Sequence, residues 1–174
     1  MQVAHTADLD GTVLQAVRAL LDGVFGDGMT EQAWDHALGG VHALVREDGA
    51  LVGHASVVQR RLMYRDRTLR TGYVEAVAVR ADRRRQGVGG TVMAEVERVI
   101  GAGYELGALG ATDEGALLYA SRGWRQWRGE TWALSPTGPV RTAGEDHDVH
   151  VLEVRKPLDL HERLTCDWRE GDLW

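Results

Sequence analysis

The chain has 174 residues, 44% of them hydrophobic and 26% charged, with a formal net charge of -6 and a single cysteine, Cys166. That is the ordinary mixture of one globular domain over residues 1–174; it excludes disordered and fibrous classes, the lone cysteine excludes a disulfide framework or a multi-cysteine metal site, and with no His-x-x-x-His pair on a helix no metal is expected. No apolar run approaches the roughly 18 residues of a membrane span and residues 1–10 lack a basic segment leading into an apolar one, so a cytoplasmic protein without a membrane partner is expected, and its acidity opposes nucleic acid.

Val13, Leu14, Val17, Leu20, Leu21 and Val24 recur at helical spacing after a cap at Asp10 and stop near Gly26. Thr30 starts a short second helix through Trp34 to Leu38, which Gly39-Gly40 ends. Three antiparallel strands follow: Val41–Glu47, the Asp48-Gly49 hairpin turn, Ala50–Tyr64, a reversal at Arg65-Asp66, and residues 68–80. Residues 87–100 carry Val88, Val92, Val96, Val99 and Ile100 on an amphipathic helix, and 104–109 reads as a strand, so this strand-helix-strand run is a parallel crossover. Thr112 or Asp113 begins a helix ended by Gly123, a strand covers 124–134, Pro136-Thr137-Gly138-Pro139 is a loop, and a last strand covers 149–154 before an acidic tail ending at Trp174. The fold class is α/β of mixed α+β type: a mixed, mostly antiparallel, twisted sheet flanked by helices.

The strongest chemical feature lies after the valine-rich strand Tyr73 to Arg80. Arg80, Arg83, Arg84 and Arg85 crowd a turn, and Gly87-Val88-Gly89-Gly90 opens the next helix. On its own such a cluster is a solvated turn. In this position, glycines let a diphosphate approach the backbone while the helix dipole and the open amides of the first turn supply positive potential. A nucleoside triphosphatase loop fails for want of its lysine, and Gly87-x-Gly89-x-x-Val92 misses the third dinucleotide-binding glycine.

What does fit is Arg/Gln-x-x-Gly-x-Gly, here Arg84 to Gly89, which resembles the acyl-coenzyme A signature of the GNAT N-acetyltransferases. The resemblance implies the GNAT fold and acetyl-CoA as cosubstrate. It implies that the pantetheine arm pairs with the backbone of Val77, Ala78 and Val79, and that Arg84, Arg85, Gln86, Gly87, Val88 and Gly89 bind the phosphates. Leu118-Tyr119-Ala120-Ser121-Arg122-Gly123-Trp124 is similar to that family's later tyrosine segment.

Most of the chain resembles one branch, the aminoglycoside 2'-N-acetyltransferases. The likeness is carried by Gly39-Gly40-Val41-His42-Ala43-Leu44, Gln59-Arg60-Arg61-Leu62, Gly72-Tyr73-Val74-Glu75, Leu117 to Trp124, Pro136 to Pro139 and Cys166-Asp167-Trp168-Arg169. It implies a polycationic aminosugar held by dispersed carboxylates: Asp27, Glu75 with its neighbour Ala76, Glu145 or Asp146, and Asp172. Trp174 would add its terminal carboxylate and an indole face. A serine expected after Leu109 is replaced by Gly110, leaving only backbone for a contact there. The resemblance also implies a homodimer.

The chemistry this implies is direct transfer. Glu75 stands inside an apolar strand, where desolvation is expected to raise its pKa toward a general-base range and suit it to take a proton, through water, from the substrate ammonium. Backbone near Val77 would polarise the thioester carbonyl. Tyr119, with an ordinary pKa of about 10, would protonate the departing thiolate. Cys166 has no Cys-His-Asn arrangement around it to support a covalent route, and His42, His54 and His150 read as packed strand residues. The rivals are a polyamine or protein N-acetyltransferase, and a non-catalytic acyl-CoA sensor.

Overall fold

The computed structural model describes residues 1–174. Its chain forms two compact units, each from separate stretches: Met1–Val58 with Val74–Val99, and Gln59–Tyr73 with Ile100–Trp174.

In the first unit β1 (Gln2–His5) precedes α1 (Gly11–Phe25) and α2 (Glu31–His36), and β2 (Val41–Glu47) turns into β3 (Ala50–Tyr64). The helix starts follow from local chemistry. The Asp10 carboxylate accepts from the amides of Thr12 and Val13 at 2.9 Å each, and the Thr30 hydroxyl accepts from the Ala33 amide at 3.1 Å, satisfying donors that a helix leaves open. β1 pairs antiparallel with β2, and β2 with β3. Against this sheet α1 buries Val17, Leu20 and Leu21 with Leu9, Met29, Leu44, Leu51 and Ala78; each fully buried aliphatic side chain contributes about 1.5–3 kcal/mol. The later half of β4 (Arg67–Val79) and most of α3 (Val88–Gly103) complete the unit, with Val88, Val92, Met93 and Val96 buried on one helical stripe.

The second unit contains the remaining parts of β3 and β4, followed by β5 (Leu106–Gly110), α4 (Asp113–Ser121), β6 (Arg125–Gln126), β7 (Thr131–Ser135), β8 (Gly138–Arg141), β9 (Val149–Glu153) and β10 (Leu164–Asp167). Strand order is β6-β9-β5-β4-β3-β10-β7-β8. β4 and β5 run parallel, as the crossover requires, and so do β7 and β10; β9 is antiparallel to β5 and β6, and β8 to β7. The mixed sheet with helices expected from the sequence is therefore the observed architecture. Trp127 fills the core of this unit: its ring meets Tyr64 edge-on at 6.1 Å, and its indole N–H donates to the Glu162 carbonyl at 2.9 Å.

Several boundaries differ from expectation for identifiable reasons. The second helix stops at His36, because Ala37 bonds back to Trp34 and Leu38 to Asp35 in tighter turns. α3 runs on to Gly103, and the Tyr104 amide closes onto Ile100 at 2.9 Å, so the next strand begins at Leu106. The single strand expected over 124–134 is two, β6 and β7. Between them the Arg128 and Gly129 amides both bond the Leu160 carbonyl, and a Cβ on Gly129 would stand 2.0 Å from the Glu162 carbonyl oxygen. The loop expected at 136–139 is a tight turn whose second half starts β8. β1 and β10 carry no periodic signal; β10 in particular is a four-residue segment clamped between β3 and β7.

Candidate active site

In β4 residues 71–74 are buried, yet Glu75, Ala76 and Val77 are then all partly exposed before Ala78 is buried again. The break has a backbone cause. Ala76 sits at φ +52, in the left-handed region, where a strand cannot keep its pleat. Two β3 side chains bind the displaced peptides: His54 Nδ1 lies 2.8 Å from the Ala76 carbonyl oxygen, and the Ser56 hydroxyl donates to the Glu75 carbonyl at 3.5 Å. Glu75 is consequently partly exposed, rather than enclosed like residues 71–74 of the same strand. Val77, Ala78 and Val79 follow directly to the strand end.

Beyond β4 the chain reverses through a single 3-10 turn, Ala81–Arg83, into α3. The arginine cluster divides here. Asp82 accepts from Arg80 at 2.6 Å and from Arg83 at 2.9 Å, and Arg83 also donates to Glu47 at 2.6 Å. The Arg80 bond, above all, holds the Asp82 carboxyl below the usual carboxylate range. These two arginines brace the turn, as does the Gln86 side chain, which donates to the Asp82 carbonyl at 2.9 Å. Arg84 and Arg85 are exposed, and Gly87 takes φ +88, a conformation that favours glycine. Exposed guanidiniums beside the amides and positive dipole end of α3 suit a diphosphate, so the residues present fit the anionic part of coenzyme A. Asp27 is exposed in the turn that follows α1.

In the second unit β5 ends at Gly110. A Cβ built there would stand 3.6 Å from the carbonyl carbon and oxygen of Trp174 and 3.7 Å from the Tyr73 hydroxyl. Trp174 is therefore a fixed neighbour of the β5 end. Its ring is buried and its indole N–H donates to Thr142 Oγ1 at 2.9 Å. Arg60 fastens the same segment, donating to the Leu173 carbonyl at 2.7 Å and to Asp167 Oδ1 at 2.8 Å. Cys166 Sγ lies 3.4 Å from that Leu173 carbonyl; burial pushes its thiol up, away from nucleophilic use.

Tyr119 is buried in α4 beside Trp124, ring centroids 6.3 Å apart, and Thr112 caps this helix. Burial pushes the Tyr119 phenol up to about 12, above the ordinary value expected from sequence. It stays a proton donor at every physiological pH.

The two acidic candidates of the 145–146 loop have different surroundings. Asp146 accepts from both Nη atoms of Arg141 and from the amide and hydroxyl of Thr131, and its carboxyl is held far below the usual range, chiefly by Arg141. Glu145 is half-buried. Burial first, then the charges of Asp148 and Asp172, raise its carboxyl. Asp148, Arg60 and Tyr73 also belong to these surroundings, though no motif in the sequence gives them a role. Arg60's Leu173 partner is 113 positions away, so no local pattern announces it. No group of three or more potential ligands gathers as a metal site, and no helix is long and apolar enough to cross a membrane.

Comparison with known proteins gives this arrangement a family. Residues 8–127 match the family model of the acetyltransferase (GNAT) domain. The chain is 48% identical over 177 aligned positions, 99% of its own length and 91% of the other, to an aminoglycoside 2'-N-acetyltransferase of Mycolicibacterium fortuitum. Its fold is similar to Escherichia coli ElaA, with TM-score 0.64 and 21% identity over 87% of this chain and 97% of that one. It is also similar to an aminoglycoside 6'-N-acetyltransferase complexed with coenzyme A, with TM-score 0.62 and 11% identity over 91% and 100%. At such identities the structural likeness speaks for the fold alone. The sequence match reaches further: the chain is a GNAT acetyltransferase and belongs to the family of the aminoglycoside 2'-N-acetyltransferases.

Proposed function

We propose that this enzyme transfers an acetyl group from acetyl-CoA directly to the 2'-amino group of an aminoglycoside. Coenzyme A phosphates would lie on Arg84, Arg85 and the start of α3, with the pantetheine arm along Val77 to Val79. An aminosugar amine is an ammonium at neutral pH, so it must lose a proton before it can attack. Glu75, half-exposed at the kink of β4, takes that proton through water. The amine nitrogen then bonds to the thioester carbonyl carbon, whose oxygen is polarised by backbone N–H near Val77. The carbon–sulfur bond breaks, Tyr119 gives its proton to the thiolate, and the second proton shed by the new amide nitrogen returns through water to the Tyr119 oxygen.

The observation that carries the acceptor side is Glu145. Its half-buried carboxyl feels the like charges of Asp148 and Asp172, and a bound cation relieves that repulsion. We assign the aminosugar to Glu145 rather than Asp146, whose carboxylate is committed to Arg141. Asp27, Asp172 and Gly110 complete the acceptor side. Trp174, with its ring buried, contributes its main-chain oxygen beside Gly110 instead of an indole face.

The test is thiol release from acetyl-CoA by the purified protein, given aminoglycosides with and without a 2'-amine, polyamines and peptides. Release only with 2'-amino compounds, with the acetyl group located at that nitrogen by NMR, is the expected result. Release with polyamines or peptides alone, or with none of the panel, overturns the proposal.

A further inference from the structure

The first unit contains a hydrogen-bonded pair of wholly buried histidines, His42 on β2 and His54 on β3, that the reaction above does not use. Each of their four ring nitrogens has a neutral partner. His54 Nδ1 is 2.8 Å from the Ala76 carbonyl, His54 Nε2 is 2.9 Å from His42 Nδ1, and His42 Nε2 is 2.8 Å from Thr6 Oγ1. Thr6 Oγ1 in turn accepts from the Gly39 amide at 2.9 Å.

These contacts determine where the protons sit. A buried charge without a carboxylate partner is costly, so both rings are neutral. Burial accordingly lowers His42 to about 4 and His54 to about 3. The Ala76 oxygen can only accept, so His54 carries its hydrogen on Nδ1 and offers a lone pair at Nε2. His42 must then donate from Nδ1, leaving its Nε2 to accept from the Thr6 hydroxyl at 2.8 Å, the nearer of that hydroxyl's two acceptors, the other being the Gly40 carbonyl at 3.2 Å. All the donors point one way, from the Gly39 amide through Thr6, His42 and His54 to the Ala76 carbonyl, an order in which successive bonds polarise one another.

The far end of this relay is the strained residue. Ala76 is at φ +52, and left-handed backbone in a non-glycine strand residue persists only where its surroundings over-determine it. Successive carbonyls of a regular strand point to opposite sides. Here those of Glu75 and Ala76 both meet side chains of β3, Ser56 and His54.

We propose that His54, oriented by His42 and Thr6, is a positioning residue for acetyl transfer: its N–H on the Ala76 carbonyl locks the β4 kink that sets the Glu75 side chain and the Val77 amide. The inference rests on the roles given to Glu75 and Val77 under the proposed function.

Two measurements test it. Long-range proton–nitrogen NMR of the wild-type protein at pH 7 should show both histidines as neutral Nδ1–H tautomers, the less common form in solution. An Nε2–H tautomer or a charged ring at either position overturns the relay, whatever the enzyme acetylates. In steady-state assays His54→Leu should lower kcat about 10–100-fold, the scale of a small misplacement of reacting groups, while changing the KM for acetyl-CoA less than about threefold. His54→Asn, whose amide N–H can take the place of Nδ1–H, should restore most of that loss, whereas His54→Gln should not. Wild-type kcat in His54→Leu, or equal loss in the Asn and Gln variants, reduces the histidine to a packing role and sinks the proposal. Absence of acetyl transfer by the wild-type protein would refute the functional reading instead, and the tautomers would still report on the relay.

Discussion

Arg60 donates from Nη1 to the carbonyl oxygen of Leu173 at 2.7 Å, joining β3 to the segment that carries Trp174. Its other donors are also engaged, Nε with Asp167 Oδ1 at 2.8 Å and Nη2 with the Asp167 carbonyl at 2.9 Å, while the guanidinium lies 4.7 Å from the centre of the Tyr73 ring. A residue only 4% exposed with this many bonds fixes the tail as part of the fold.

Arg60→Met should therefore release the tail. Removing one member of a buried charge network costs up to 3–5 kcal/mol; because Asp167 is partly exposed we expect about 2–3 kcal/mol, read from urea unfolding. Deleting Leu173 and Trp174 should raise the aminoglycoside KM about tenfold, through lost contacts near Gly110. A truncated enzyme with unchanged KM would remove the tail from the acceptor site.

For Glu75→Gln the expected loss is about 100- to 10,000-fold in kcat/KM, the usual worth of a general base. Acetyl-CoA affinity should hold. Near-normal turnover across pH would show that another group, or bulk water alone, takes the proton.

Tyr119→Phe should lower kcat while sparing acetyl-CoA binding, and it carries a separate stability signature. Burial raises this phenol from 10.0 to about 12, so between those values the unfolded chain has lost a proton that the folded chain keeps. The associated stability is intact below pH 10 and lost as pH rises toward 12. It amounts to about 2–3 kcal/mol, and the phenylalanine variant cannot lose it. The stability difference between wild type and variant should shift by that amount across the window; a constant difference would mean the phenol is solvated.

The parts of this molecule that were legible in the sequence are those whose partners are near in sequence. Asp10 and Thr30 cap helices within three residues, and the Asp48-Gly49 hairpin and the Arg84 to Gly89 turn are equally local. β10 was invisible because its two neighbours, β3 and β7, lie far away in the chain. The same holds within the site. Glu75 could be singled out by its apolar neighbours, but those neighbours also implied burial, and nothing about an alanine at 76 announces the left-handed turn that exposes it. Likewise the four arginines within residues 80–85 look alike in sequence; only the positions of Asp82 and Glu47 separate two that brace the turn from the exposed Arg84 and Arg85.

That kind of division also governs Glu145 and Asp146, adjacent carboxylates with opposite expected behaviour. Asp146→Asn strips Arg141 of its nearer ion-pair partner, leaving Glu130 at 4.0 Å, and should lower the melting temperature while leaving the aminoglycoside KM close to wild type. Glu145→Gln should do the reverse. The raised carboxyl of Glu145 means that acid protonates it earlier than an ordinary glutamate, so wild-type affinity for a polycation should weaken as pH falls through that range. Binding should also release protons there, since a nearby ammonium pulls the carboxyl back toward ionisation. Calorimetric titration in buffers of different ionisation enthalpy reads that release directly. In Glu145→Gln it should vanish and the KM should rise about five- to tenfold, the worth of one partly desolvated charge contact. Proton release that persists in this variant would assign the coupling to Asp148 or Asp172, and would place the ammonium group against one of them instead.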